Sequence, residues 1–373
     1  LGAHWDHEAG SAPRWSADGR SLYLTAETGG RCALWQCHLD EPQGRFEPHT
    51  PGGWVQGFDL GGAPGSEVVV TVADAHDHPP RLSARRAAGP PRRLDRFNDR
   101  LLKRLQLGRC EAVTLNGALG DPVQMWLTYP PGFDPKKKHP VLHVIHGGPH
   151  TAFGDAWHYR WNTQVMAAQG YVVACVNYHG SSSYGYAFLD SITHRWGELE
   201  LQDVESATDW LLKKPWADRK RVFATGGSYG GYMVAWMNGH VKPGRYQAYV
   251  CHAGCFDWVS MFAEDAYTWF PRELGASYWD DMAKVHAQSP HAFAGKMKTP
   301  TLVIHGALDY RVPDGQGLAY YNTLKARGVD ARLVWFPDEN HWILKPRNSK
   351  LWYAEYFDWL KKHDPGAPRA RRR

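Results

Sequence analysis

Beyond residue 105 the chain is a succession of short apolar runs separated by helical patterns. The runs are Val141 to Ile145, Tyr171 to Val176, Arg221 to Ala224, Ala248 to Cys251, Thr301 to His305 and Arg332 to Phe336. Several are continuous rather than alternating, as in strands buried on both faces of a parallel sheet. Leu199 to Lys214, Tyr229 to Gly239 and Gly315 to Arg327 carry helical patterns between them. This alternation implies a doubly wound, mostly parallel α/β sheet. Residues 109–130 are expected to precede it as an antiparallel hairpin, Glu111 to Leu115 and Val123 to Tyr129 around an Asn116-Gly117 turn.

The first hundred residues have a different character. The Asp18-Gly19 turn leads into the alternating run Ser21 to Ala26, a hairpin signal. Cys32 to Trp35, Val55 to Leu60 and Glu67 to Val72 read as further strands. Strands this dense resemble propeller blades, with room for about two where a closed propeller needs at least about four. The expected domains are therefore 1–105, a remnant of an N-terminal β-propeller, and 106–373, the α/β domain. The N-terminal domain is expected to be cut; the chain begins at Leu1 without a signal-peptide pattern.

With 43% hydrophobic and 22% charged residues, the composition is that of a globular protein. The net charge of +5 falls partly on Arg369, Arg371, Arg372 and Arg373, read as a solvated terminus, so no nucleic-acid partner is expected. No apolar run approaches the ~18 residues of a membrane span, and no membrane partner is expected. The six cysteines are too scattered for a disulfide scaffold; Cys32/Cys37 and Cys251/Cys255 are near in sequence, but free buried thiols are the expectation. The groups His4, His7, Glu8 and Asp74, His76, Asp77, His78 are read as loop or sheet residues, as are His143 and His146, and no metal is assigned.

The strongest chemical signal is Gly226-Gly227-Ser228-Tyr229-Gly230, a G-x-S-x-G pentapeptide between a strand and a helix. It fits the nucleophile elbow of the α/β-hydrolase fold: a strained turn exposes the serine, and the following helix N-terminus favours developing negative charge. A triad on this fold runs serine, acid, histidine. Asp309 follows the run Thr301 to His305, and His341 follows Arg332 to Phe336. Both then open at the C-terminal sheet edge, where open α/β sheets place their sites. His341 is expected to shuttle the Ser228 proton and Asp309 to orient it, ahead of the competing acids Asp314, Asp338 and Glu339. The oxyanion hole is expected to use the N–H of Tyr229 and one from His146-Gly147-Gly148-Pro149. This chemistry needs no cofactor.

His146-Gly147-Gly148-Pro149, the Gly226 to Gly231 stretch and His305-Gly306-Ala307-Leu308-Asp309-Tyr310-Arg311-Val312-Pro313 resemble the prolyl oligopeptidase family of serine peptidases. Asn177-Tyr178-His179-Gly180-Ser181 is similar to a loop of that family, with His179 where arginine is frequent. Phe256-Asp257-Trp258 and Glu339 to Pro346 resemble its acylaminoacyl peptidase and dipeptidyl peptidase V branch. The resemblance implies an N-terminal propeller that screens substrates by size. It also implies Gly148 and Tyr229 as oxyanion donors, and Phe256, Trp258 and Phe262 as walls of the S1 pocket. It implies a serine-type exopeptidase or oligopeptidase acting on short peptide substrates near the N-terminus, by way of an acyl-enzyme. Dipeptidyl, acylaminoacyl and internal cleavage stay open. A carboxylesterase-type serine hydrolase is the alternative. A homodimer is compatible with the family, and a periplasmic or secreted location is favoured over a cytoplasmic one.

Overall fold

The computed structural model describes residues 4–50, 52–86 and 89–367, so the terminal arginines lie outside the described residues. Two eight-stranded sheets form. The first holds β1 (Arg14–Trp15), β2 (Ser21–Thr28), β3 (Arg31–His38), β4 (Arg45–Pro48), β5 (Trp54–Gly61), β6 (Val68–Ala75), β7 (His78–Arg86) and β8 (Arg92–Arg93). Neighbours within β1–β4 and within β5–β8 pair antiparallel, giving two four-stranded meanders. A single parallel pairing, Cys32 with Trp54, joins them. Cys32 and Cys37 both lie on β3, and all six thiols are free. Cys251 and Cys255 are both buried, as is every other cysteine except the partly exposed Cys110.

The second sheet contains β9 (Cys110–Asn116), β10 (Pro122–Thr128), β11 (His139–Ile145), β12 (Val172–Asn177), β13 (Ala217–Gly227), β14 (Ala248–His252), β15 (Thr301–Gly306) and β16 (Ala331–Phe336). Its order is β16-β15-β14-β13-β11-β12-β10-β9. The antiparallel β9–β10 hairpin forms, and β11 to β16 run parallel as expected. The helices are α1 (Asp99–Leu102), α2 (Thr163–Ala167), α3 (Tyr186–Asp190), α4 (Leu199–Leu212), α5 (Tyr229–His240), α6 (Phe270–Leu274), α7 (Met282–Ala287), α8 (Gly315–Ala326) and α9 (Pro346–Lys362). This is the α/β-hydrolase fold.

The continuous apolar runs have a direct cause. Val141, Val222, Ala224, Cys251 and Val303 point to a core shared with α4, α5 and α8. Their neighbours Leu142, Phe223, Val250 and Leu302 point to a second core shared with α2 and α9. Each strand thus buries both faces. In α9, Trp352, Tyr356, Trp359 and Leu360 form the apolar stripe, each stabilising the packing by about 1.5–3 kcal/mol.

The first sheet docks on the second through backbone contacts. Gly29 and Gly30 donate to the carbonyl and hydroxyl of Ser183 at 2.9 and 2.8 Å, and Asp155 N–H donates to the Gly30 carbonyl at 2.9 Å. Among the described residues no helix is long and apolar enough to cross a membrane.

Candidate active site

β13 ends at Gly227 and α5 begins at Tyr229, leaving Ser228 as the turn residue at φ 58°, ψ −122°. A non-glycine residue there is strained, and the surroundings must hold it. They do so through tight backbone approach. A Cβ on Gly226 would lie 2.1 Å from the Gly230 carbonyl oxygen, and one on Gly230 would lie 2.1 Å from that of Ile145. Glycine at both positions lets the turn close over β11. The Ser228 N–H donates to the His252 carbonyl at 2.9 Å, tying the elbow to β14.

Asp309 and His341 leave adjacent parallel strands, β15 and β16, and meet at the same sheet edge. His341 Nδ1 lies 2.6 Å from Asp309 Oδ2, with both residues buried. The other carboxylate oxygen accepts the N–H groups of Arg311 at 3.0 Å and Val312 at 2.8 Å. Burial alone would raise the Asp309 pKa. The hydrogen bonds from His305 and His341, the His341 charge and the Val312 N–H outweigh it and hold the carboxyl well below its usual range. The competing acids are engaged elsewhere. Asp314 accepts from Trp335 Nε1, Asp338 pairs with Lys345, and Glu339 accepts the N–H groups of Leu344 and Lys345.

Sequence reading passed over two supporting histidines. His305 Nε2 donates to the Val312 carbonyl at 2.8 Å and lies 3.3 Å from Asp309 Oδ2. His252 Nε2 donates to the His341 carbonyl at 3.0 Å, while its Nδ1 accepts from Trp352 Nε1 at 3.1 Å. Burial pushes the His252 pKa down to about 3, so the ring stays neutral and this donor–acceptor order is fixed. His252 therefore braces Ser228 through its carbonyl and His341 through its ring. Its position at the end of a buried strand was the available signal.

The 146–149 loop lies against the elbow. A Cβ on Gly147 would lie 3.1 Å from Ser228 Cβ, and Gly148 adopts φ 117°. The Tyr229 side chain points inward and donates to the buried Glu200, leaving its backbone N–H at the first turn of α5. Ser228, His341, Gly147, Gly148 and Tyr229 all line one cavity of about 830 Å³. Among the expected pocket residues, Trp258 lines it, together with Met261, Trp269 and Phe270. Phe256 and Phe262 do not. Phe256 stacks on Tyr320 with ring centroids 4.9 Å apart, and Phe262 packs against Phe270, Tyr278 and Trp279. They lie behind the wall because their rings are taken up by these packing partners instead. Trp54 and Gln56 of β5 and His76 of the β6–β7 turn also line it. Among the described residues, no three His, Cys, Asp or Glu side chains converge on a metal position.

The model of the prolyl oligopeptidase family matches residues 157–364, more than half of the chain. This chain belongs to the prolyl oligopeptidase family. It is 32% identical over 380 residues to a probable dipeptidyl-peptidase 5 of Aspergillus clavatus, covering 98% of this chain and 52% of that protein. It is 30% identical over 355 residues to the dipeptidyl-peptidase 5 of Porphyromonas gingivalis, covering 94% and 51%. The chain thus spans about half the length of these curated relatives. The acylaminoacyl peptidase of Pyrococcus horikoshii superposes with a TM-score of 0.86 at 24% identity, covering 99% of this chain and 58% of that one, which shows a shared fold.

Proposed function

We propose that this chain is a serine peptidase that hydrolyses short peptides near their N-termini, with Ser228 as nucleophile, His341 as general base and acid, and Asp309 as its orienting carboxylate. The buried 2.6 Å Asp309–His341 pair, whose His341 faces the same cavity as the strained Ser228, carries this reading. In the first step Ser228 Oγ attacks the scissile carbonyl carbon and its proton passes to His341 Nε2. The oxyanion receives the N–H groups of Tyr229 and Gly148. The C–N bond then breaks and His341 returns the proton to the leaving amine. Water repeats the sequence on the acyl-enzyme and frees the acid.

The aromatic recess of Trp258, Met261, Trp269 and Phe270 would take the side chain on the acyl side. The names of the relatives, dipeptidyl-peptidase 5 and acylaminoacyl peptidase, support cleavage close to a peptide N-terminus. The two N-terminal meanders have the four-stranded form of propeller blades, which supports a domain division at 1–105 and 106–373 and a screening role for Trp54 and Gln56 at the cavity wall.

Intact-mass analysis after treatment with a fluorophosphonate tests the nucleophile: one adduct is expected on the parent and none on Ser228→Ala. A panel of a dipeptidyl arylamide, its N-acetylated form, an acetyl-amino-acid arylamide and a short-chain ester tests the substrate class. Cleavage of the ester alone would replace the peptidase reading with a carboxylesterase.

A further inference from the structure

Among the described residues, one cation of the catalytic cavity has no counter-ion. Arg160 lines the cavity, with its guanidinium 4.0 Å from the ring centroid of Trp161 and 4.3 Å from that of Trp342. Two indoles thus hold the cation, and its N–H groups remain for donation. They are underused. Nη1 donates to the Trp342 carbonyl at a long 3.4 Å, and the buried Nε has no partner among the described residues. Among the described residues no carboxylate pairs with Arg160, and burial pushes its pKa down to about 10, which still leaves a cation at neutral pH.

The neighbours do not supply the missing charge. His158 Nδ1 accepts the backbone N–H groups of Arg160 at 3.2 Å and Trp161 at 2.9 Å. With Nδ1 accepting, the ring proton sits on Nε2 and presents a further donor on the cavity wall. His252, which meets Trp161 edge to face at 5.0 Å, is neutral too. A partly desolvated, unpaired cation is costly, and a site that retains one is built for an anion.

Position identifies the anion. Trp161 covers Gly227, where a Cβ would lie 2.4 Å from the indole, and Trp342 follows His341 with ring centroids 4.8 Å apart. Arg160 therefore sits on the flank of Ser228 shared with His341. The recess around Trp258 groups instead with Tyr229, through Trp196. His341 gives its proton to the leaving amine, so its flank receives the leaving fragment.

We propose that Arg160 binds the free C-terminal carboxylate of a short leaving fragment, which makes short peptides with an unblocked C-terminus the preferred substrates. This rests on the peptidase reading above. The shared chemistry is a carboxylate, and it could also come from an acidic side chain of the leaving residue.

The test is calorimetric binding to the Ser228→Ala chain, which requires no turnover. The ligands are the tripeptide Ala-Phe-Ala as free acid, the same peptide as C-terminal amide, and Ala-Phe-Glu amide. The acid is expected to bind at least about tenfold more tightly than the Ala amide, the scale of a charge-assisted bidentate contact. Adding Arg160→Met should bring acid and amide within about twofold of each other, whereas Arg160→Lys, which keeps the charge, should retain part of the preference. Equal binding of acid and amide by the Ser228→Ala chain, a preference that survives Arg160→Met, or no binding of either peptide would overturn the proposal. Preference for the Glu amide over the free acid would overturn the C-terminal assignment. The peptidase reading fails separately, on absent fluorophosphonate labelling and arylamide cleavage by the parent chain.

Discussion

Replacing Asp309 by asparagine probes the least redundant contact of the site. The change is nearly isosteric. The retained carbonyl oxygen can still accept the Arg311 and Val312 N–H groups, so the loop keeps its shape. The new NH2 stands where Oδ2 meets His341 Nδ1 at 2.6 Å and approaches His305 Nε2 at 3.3 Å. As a donor it forces His341 Nδ1 to accept, which moves the ring proton to Nε2. That nitrogen can then no longer take the proton of Ser228. Triads that suffer this tautomer change lose about 10⁴ in kcat. A second donor now also faces the His305 N–H in a buried space, for a stability cost of about 1–3 kcal/mol. The parent Asp309 carboxyl is depressed, so its contribution to stability is present above the unfolded carboxyl range and is lost as pH falls through its folded value. The variant should therefore lose less stability than the parent on acidification. Arylamide hydrolysis gives kcat, and urea unfolding at neutral and acidic pH gives the rest. A variant retaining more than about a tenth of parental kcat would refute the assignment of Asp309 as the orienting group.

Further outcomes follow from other contacts. Burial pushes Glu200 up to about 7 from 4.5, so the folded protein holds a proton that the unfolded chain releases in that window. Stability should fall as pH rises through it, by up to about 3 kcal/mol, and Glu200→Gln should flatten that dependence in denaturant unfolding at several pH values. Gly147→Val places a branched side chain where a Cβ alone already stands 3.1 Å from Ser228 Cβ. Fluorophosphonate labelling should slow by at least about 10²-fold with the fold retained by circular dichroism. His252→Ala strips Trp352 Nε1 and the His341 carbonyl of their buried partner. It should cost about 1–3 kcal/mol and lower kcat, measured by thermal melt and arylamide turnover.

The order of elements along the α/β domain, the elbow and the acid–histidine pairing were legible in the sequence because each depends on local pattern. Burial on both faces forces continuous apolar runs, and the turn from β13 to α5 needs glycine at Gly226 to clear the Gly230 carbonyl four residues on, a constraint local to the elbow. Chain order then left few loops in which Asp309 and His341 could stand. The choice of Asp309 over Asp314, Asp338 and Glu339 became visible as geometry only when parallel pairing of β15 and β16 brought two loops together. What tertiary structure alone decided lies across such long separations. Phe256, Trp258 and Phe262 look alike in sequence, yet only Trp258 reaches the cavity: Phe256 is taken up by Tyr320 of α8, and Phe262 by Phe270, Tyr278 and Trp279. His252 and Arg160 carried no motif. Their roles arise where β14, the 158–162 turn and the loop after β16 converge, and no local periodicity records a contact made from three distant segments.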